Sequence, residues 1–149
     1  VGGTQIDNFL NTMGGGGAPG ETNILLWKRK AEMYLVAKCE ESGGALRYAI
    51  VHPGGLLDKP GGERELLVGV DDALLDGDRR SVPRADVAAM IVELLKMDDE
   101  TFQNVSFDLA SREVGEGNGA TRDYKKLLIG LNGKSANYQL PLNSPVPLP

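Results

Sequence analysis

The chain has 149 residues, 41% hydrophobic and 25% charged, with 16 basic against 21 acidic side chains and a net charge of −5. This is the composition of one ordinary globular domain and excludes a collagen-like rod, a coiled coil or a wholly disordered chain. The acidic balance argues against nucleic acid or an anionic membrane as partner, and the single cysteine excludes an internal disulfide and a zinc cage.

No apolar run approaches the roughly 20 residues of a membrane helix, and no signal-like segment opens the chain. The first residue is Val1, which fits a processed chain or part of a longer one. Residues 1–20 read as loop, because Gly2-Gly3 and the run Gly14 to Gly17 are costly to order. Thr22 or Asn23 can cap a helix running from about Asn23 to Glu41. Ile24, Trp27, Ala31, Leu35 and Cys39 recur at helical spacing and are expected to face a core, with Lys28, Glu32 and Lys38 on the flanks. Cys39 is read as a buried, inert thiol. Ser42-Gly43-Gly44 ends the helix.

Leu46 to Val51 is a continuous apolar run, stopped at His52-Pro53-Gly54-Gly55; following a helix directly, it predicts a parallel sheet covered on both faces. Leu56 to Gly62 reads as loop, Glu65 to Val70 as a short strand, and Asp71 to Arg80 as a charged turn region. Pro83 starts a helix with Asp86 in its first turn, and Val87, Met90, Ile91, Leu94 and Leu95 form its expected buried stripe. Val105 to Leu109 predicts a strand, Arg112 to Ala120 a glycine-rich loop, and Tyr124, Leu127, Leu128 and Leu131 a last short helix. From Gly133 the chain turns polar and then Pro-rich, which predicts an extended tail over 132–149.

Asn23 to Glu32, Gly54 to Lys59, Arg64 to Gly69, Val82 to Ala88 and Phe107 to Ser111, in that order and spacing, resemble the atypical short-chain dehydrogenase/reductase family. The nearest type is the plant and algal NAD(P)H-binding, NmrA-like group. The resemblance covers 1–131 and implies an α/β fold, namely the C-terminal part of a Rossmann-like doubly wound parallel sheet. It implies that a strand, a Gly-rich turn and a helix holding the dinucleotide's phosphates precede this portion. Gly14 to Gly17 is not a substitute for them, because no strand is predicted before it. A truncated domain is therefore expected, with no cofactor binding this chain alone and a protein partner covering the missing half.

The resemblance also assigns roles. Lys28 resembles the lysine of the family's Tyr-x-x-x-Lys pair, which holds the nicotinamide ribose hydroxyls; a solvated lysine paired with Glu32 is the plain alternative. The tyrosine position is Ile24, which cannot donate a proton, so classical carbonyl reduction does not follow and no catalytic residue is assigned. A literal Tyr-x-x-x-Lys at Tyr34 and Lys38 lies about three turns into the helix and is set aside as packing. His52, Pro53, Gly54 and Gly55 form the turn that lines the nicotinamide pocket in the family. Many relatives carry arginine where His52 stands, so a charge is expected to be lost there, and His52 reads as a loop histidine. Asp86 resembles a structural aspartate that ties down a turn, with Arg84 pairing to a loop carboxylate. Asp71-Asp72 and Asp98-Asp99-Glu100 read as solvated loops, and no metal site is assigned.

Together these imply an NAD(P)-binding, oxidoreductase-like protein using NADP or NAD, located in the cytosol or plastid stroma. The alternatives are a non-catalytic nucleotide-sensing module, favoured by Ile24, and a scaffold or structural subunit of a larger assembly.

Overall fold

The computed structural model describes residues 24–76, 81–97 and 100–138, with the side chains of 24–26, 75, 76 and 101 excepted. Three helices, α1 (Ile24–Glu41), α2 (Arg84–Lys96) and α3 (Tyr124–Ile129), surround strands β1 (Ala49–Pro53), β2 (Gly55–Leu57), β3 (Leu66–Gly69), β4 (Ser81–Pro83) and β5 (Val105–Ser111). The Gly14 to Gly17 run, Asp98-Asp99 and the Pro-rich end lie outside the described residues.

β5 organises the sheet. It pairs in parallel with β1, Ala49 opposite Val105 through Pro53 opposite Leu109. On its other edge it pairs antiparallel with β3, Leu66 opposite Ser111 through Gly69 opposite Asp108. β4 meets β5 only at Ser81 and Ser111, and pairs in parallel with β2. The result is a curled α/β sheet of the Rossmann-like kind, with its long parallel pair at β1 and β5.

Every residue of β5 is buried, and its alternation sorts two faces of different chemistry. Val105, Phe107 and Leu109 enter the hydrophobic core with Leu66, Val82 and Met90; Leu128 and Leu131 close it. Ser106, Asp108 and Ala110 point to the opposite face, which α1 overlies.

Two expected helix stripes are corrected. On α1, Trp27 is 52% exposed and Ala31 is exposed, while Arg29 at 1%, Lys30 at 3% and Cys39 at 5% are the buried residues. None of the described α1 side chains joins the main hydrophobic cluster, although Cys39 is buried. The helix lies on a polar sheet face, so its inward stripe is polar too. The short basic run Lys28-Arg29-Lys30 is thereby broken up and forms no surface patch. On α2, Met90, Val87 and Leu94 pack as expected, but Ile91 and Leu95 face outward. β2 and β4, three residues each, carry too little pattern to read in sequence: β2 falls at the start of the expected Leu56 to Gly62 loop, and β4 in the gap between the expected turn region and helix.

Asp86 behaves as anticipated. It is buried at the start of α2, and its Oδ1 accepts the amide of Gly62 at 2.6 Å, while Arg84 pairs with Asp58 at 3.1 Å. A Cβ on Gly61 would meet Ala85 Cβ at 2.8 Å, so the loop passes close against the helix start. Asp86→Ala leaves a buried amide without its charged acceptor. It is expected to cost about 2 kcal/mol in urea unfolding, with Asp86→Asn closer to the parent.

Candidate functional site

The polar face of the sheet carries an ionic cluster joining α1, β1, β5 and the segment after α3. His52 sits one residue before the end of β1, and register places it beside Asp108 of β5. Its Nε2 lies 3.0 Å from Glu32 Oε2 on α1, and its Nδ1 lies 3.5 Å from Asp108 Oδ1. The second contact is an ion-pair distance without the alignment of a hydrogen bond. Burial alone would push the imidazolium's pKa down. The two carboxylates, Asp108 and Glu32, outweigh it and raise His52 to about 9.

His52 is therefore a buried strand histidine carrying a positive charge at neutral pH, not a loop residue where a charge has been lost. The reason is its register with Asp108: two carboxylates converge on a ring that water does not reach.

Asp108 is held from a second side. Its Oδ2 accepts the amide of Asp72 at 2.8 Å. Asp71 and Asp72 both adopt left-handed backbone, φ 57° and 61°, and Asp71 Oδ1 accepts the amide of Asn137 at 2.8 Å. The Asp71-Asp72 pair is thus built into the fold, with Asp72 buried, rather than solvated.

The segment after Gly133 adds the last members. Ala136 donates its amide to Ser106 O at 2.8 Å. The Tyr138 hydroxyl lies 2.7 Å from Ser106 Oγ and donates to Glu32 Oε2 at 3.2 Å. Burial pushes the Tyr138 phenol well above its usual range, so it stays protonated. Arg29 stacks its guanidinium 4.3 Å from the Tyr138 ring centre and donates to the carbonyl of Asn137.

The helix runs antiparallel to β1. Cys39 and Glu40, near its end, act electrostatically on Tyr48 just before the strand, whereas Glu32 meets His52 near the strand's end. From Glu32 back to Lys28 the helix rises about 6 Å. From His52 to Gly54 an extended chain advances about 7 Å. Lys28 is exposed, and these two similar advances carry it from Glu32 in the same direction as the chain runs from His52 into the Pro53-Gly54-Gly55 turn. Gly54 donates its amide to Leu109 O at 2.9 Å, which fixes that turn against β5. Glu32 is turned toward His52 and Tyr138.

Tyr34 is 56% exposed, with Lys38 over its ring, so the literal Tyr-x-x-x-Lys stands apart from this cluster. A groove of about 290 Å³ lined by Phe102, Asn104, Val105, Leu131 and Ser135 opens at the amino end of β5, the opposite end from the Gly54 turn. Among the described residues no group of His, Cys, Asp and Glu has the arrangement of a metal site, and no helix is long and apolar enough to cross a membrane.

Four findings relate this chain to known proteins. The family profile described as NAD(P)H-binding matches residues 10–98. An uncharacterized chloroplastic protein of Arabidopsis thaliana is 44% identical over 134 residues, covering 90% of this chain and 37% of the relative. Sanguinarine reductase of Eschscholzia californica is 46% identical over 127 residues, covering 85% of this chain and 41% of the relative. The chloroplastic protein high chlorophyll fluorescence phenotype 173 of Arabidopsis thaliana is 32% identical over 141 residues, covering 93% of this chain and 21% of the relative. The chain thus spans about two fifths or less of the length of the curated relatives it matches.

Proposed function

The chain belongs to the NAD(P)H-binding family, and from that premise we propose that it supplies the nicotinamide end of an oxidoreductase's NADP or NAD site. Lys28 would donate to the ribose hydroxyls, and the backbone of Pro53, Gly54 and Gly55 would line the ring. The observation that carries this reading is the level of Lys28 along α1. Of the three consecutive basic residues only Lys28 is exposed, and it stands one helical turn beyond Glu32 in the direction in which β1 runs toward its carboxyl end. Ligands of open α/β sheets sit beyond such strand ends. When bound, the dinucleotide supplies the hydride chemistry. This chain's part is to fix the ribose, shape the ring's surroundings and keep a buried positive charge, His52, behind the turn.

The 46% identity to sanguinarine reductase supports reduction of a small organic compound as the whole protein's activity, and the two chloroplastic relatives support a plastid setting. A non-catalytic nucleotide-sensing reading is favoured by Ile24, which offers no proton where the family's tyrosine stands. NADPH oxidation in the presence of sanguinarine separates the two.

The direct test uses reduced nicotinamide mononucleotide, which carries the ring and ribose and needs no diphosphate cradle. Nuclear magnetic resonance of the chain is expected to show shifts at the amides of Gly54 and Gly55. Lys28→Ala is expected to weaken the response about tenfold, the worth of one charged hydrogen bond. Absence of shifts at that turn, or indifference to Lys28→Ala, overturns the assignment.

A further inference from the structure

We propose that His52 is a positioning residue: clasped between Glu32 of α1 and Asp108 of β5, it locks α1, and Lys28 with it, over the carboxyl end of β1, and the lock opens when the ring loses its proton. Its relevance to cofactor binding rests on the reading that Lys28 holds the nicotinamide ribose. The lock itself rests on the contacts of His52 with Glu32 and Asp108 and stands apart from that reading.

Three observations carry it. First, no described α1 side chain joins the main hydrophobic cluster, and Cys39 is the one apolar residue among them that is fully buried, so the main core does not hold the helix down. Trp27 and Tyr34 are 52% and 56% exposed, while Met33, Leu35 and Val36 are half-buried. Second, its side-chain contacts with the sheet face run through polar groups: Glu32 to His52 at 3.0 Å, and Glu32 to Tyr138 at 3.2 Å. Third, the anchor on the sheet is rigid. Asp108 lies in the central strand, pairs with His52 by register and is fixed by the Asp72 amide.

The groups facing His52 are Glu32 and, behind it, Arg29 from α1, Asp108 from β5, Asp72 from the turn after β3, and Tyr138. With the ring protonated, both carboxylates have their counter-charge. Deprotonation leaves Glu32 and Asp108 about one neutral ring, two negative charges in a site of low polarity, and the half that can move is α1. The helix carries Lys28 one turn from Glu32, so unseating it separates Lys28 from the Gly54 turn.

Cys39 provides the reporter. It is the chain's one cysteine, on α1, and 5% exposed, so alkylation by iodoacetamide reads whether the helix is seated. Rates are divided by that of the urea-unfolded chain at the same pH, which removes the thiol's own titration. The unmodified chain is expected to protect Cys39 at pH 7 and to lose at least about tenfold of that protection by pH 10, with far-ultraviolet circular dichroism unchanged. His52→Gln is expected to show the low protection already at pH 7, and His52→Arg, charged throughout, to stay protected at both.

Equal protection of His52→Gln and the parent at pH 7 overturns the lock, as does loss of protection in His52→Arg at pH 10. Should the larger arginine fail to fold, Glu32→Gln decides: faster labelling at pH 7 supports the lock and an unchanged rate overturns it. The mononucleotide titration is scored apart. A chain that labels as expected but does not respond to the nucleotide keeps the lock and loses the cofactor reading. A chain that binds the nucleotide while Cys39 ignores His52 does the reverse.

Discussion

Asp108→Ala is expected to destabilise the protein by about 3 kcal/mol in urea unfolding at pH 7, more than a typical buried polar truncation. Two losses coincide. His52, 5% exposed, loses the counter-charge on its Nδ1 side, and the buried amide of Asp72 loses the oxygen that accepts it at 2.8 Å. The cost is limited because the ring can shed its proton instead of remaining an uncompensated charge. Asp108→Asn keeps an acceptor for the Asp72 amide and removes the charge, so it is expected to cost about half as much. The pairwise part is measurable: a cycle with His52→Gln should give a coupling energy of about 1–2 kcal/mol at pH 7 and nearly none at pH 10. Additivity at pH 7 would mean that the two side chains merely neighbour one another.

Most of the element order was legible because the punctuation is strong. Ser42-Gly43-Gly44 ends α1 where expected, with Gly43 and Gly44 at φ 63° and 95°. Pro83 and Asp86 mark the start of α2, and Val105 to Leu109 alternates apolar and polar residues as a strand does. The faces of the helices were less legible. Helical spacing on α1 pointed to Trp27, Ala31 and Leu35, but periodicity names an apolar stripe without saying that an apolar surface awaits it. The surface that α1 meets is the even-numbered side of β5, Ser106 and Asp108, and its polarity becomes visible only when strand alternation and pairing are known together. The buried Arg29 and Lys30 follow from that, not from any property of α1 read alone.

The site was half legible for the same reason. The Lys28 position and the His52 to Gly55 turn came from resemblance. The partners of His52 could not, because Glu32, Asp108 and Tyr138 stand 20, 56 and 86 residues away in sequence. One signal was present. Phe107-Asp108-Leu109 places a carboxylate in the middle of an otherwise buried strand, and such a residue requires a counter-charge. The chain's single histidine is one candidate; the competing buried cations, Arg29, Lys30 and Arg64, are identified only by the fold. Tyr138 gave no comparable sign, since it lies at the entry to a Pro-rich tail that composition alone reads as extended. The described part of the segment has no helix or strand, and Ala136 and Tyr138 anchor it to Ser106.

Because the ring's ordinary value near 6.5 is raised to about 9 in the folded protein, stability is expected to depend on pH in a definite direction. Protonation is favoured in the folded state, so the extra stability is fully present below about pH 6.5, fades as pH rises from there, and is gone above about pH 9. The interval corresponds to about 3 kcal/mol, an upper figure for a cluster whose carboxylates also relax. Urea unfolding of the unmodified chain from pH 6 to pH 10 should therefore show a falling midpoint that His52→Gln does not share. With one histidine in the sequence, the ring's C2 proton gives a single resonance in the untagged protein, and its titration should be centred near pH 9 rather than 6.5. A resonance moving at the ordinary value would mean that Glu32 and Asp108 do not hold the charge in solution. The Asp108 coupling, the Cys39 lock and the pH dependence would then fall together, since all three depend on that one proton.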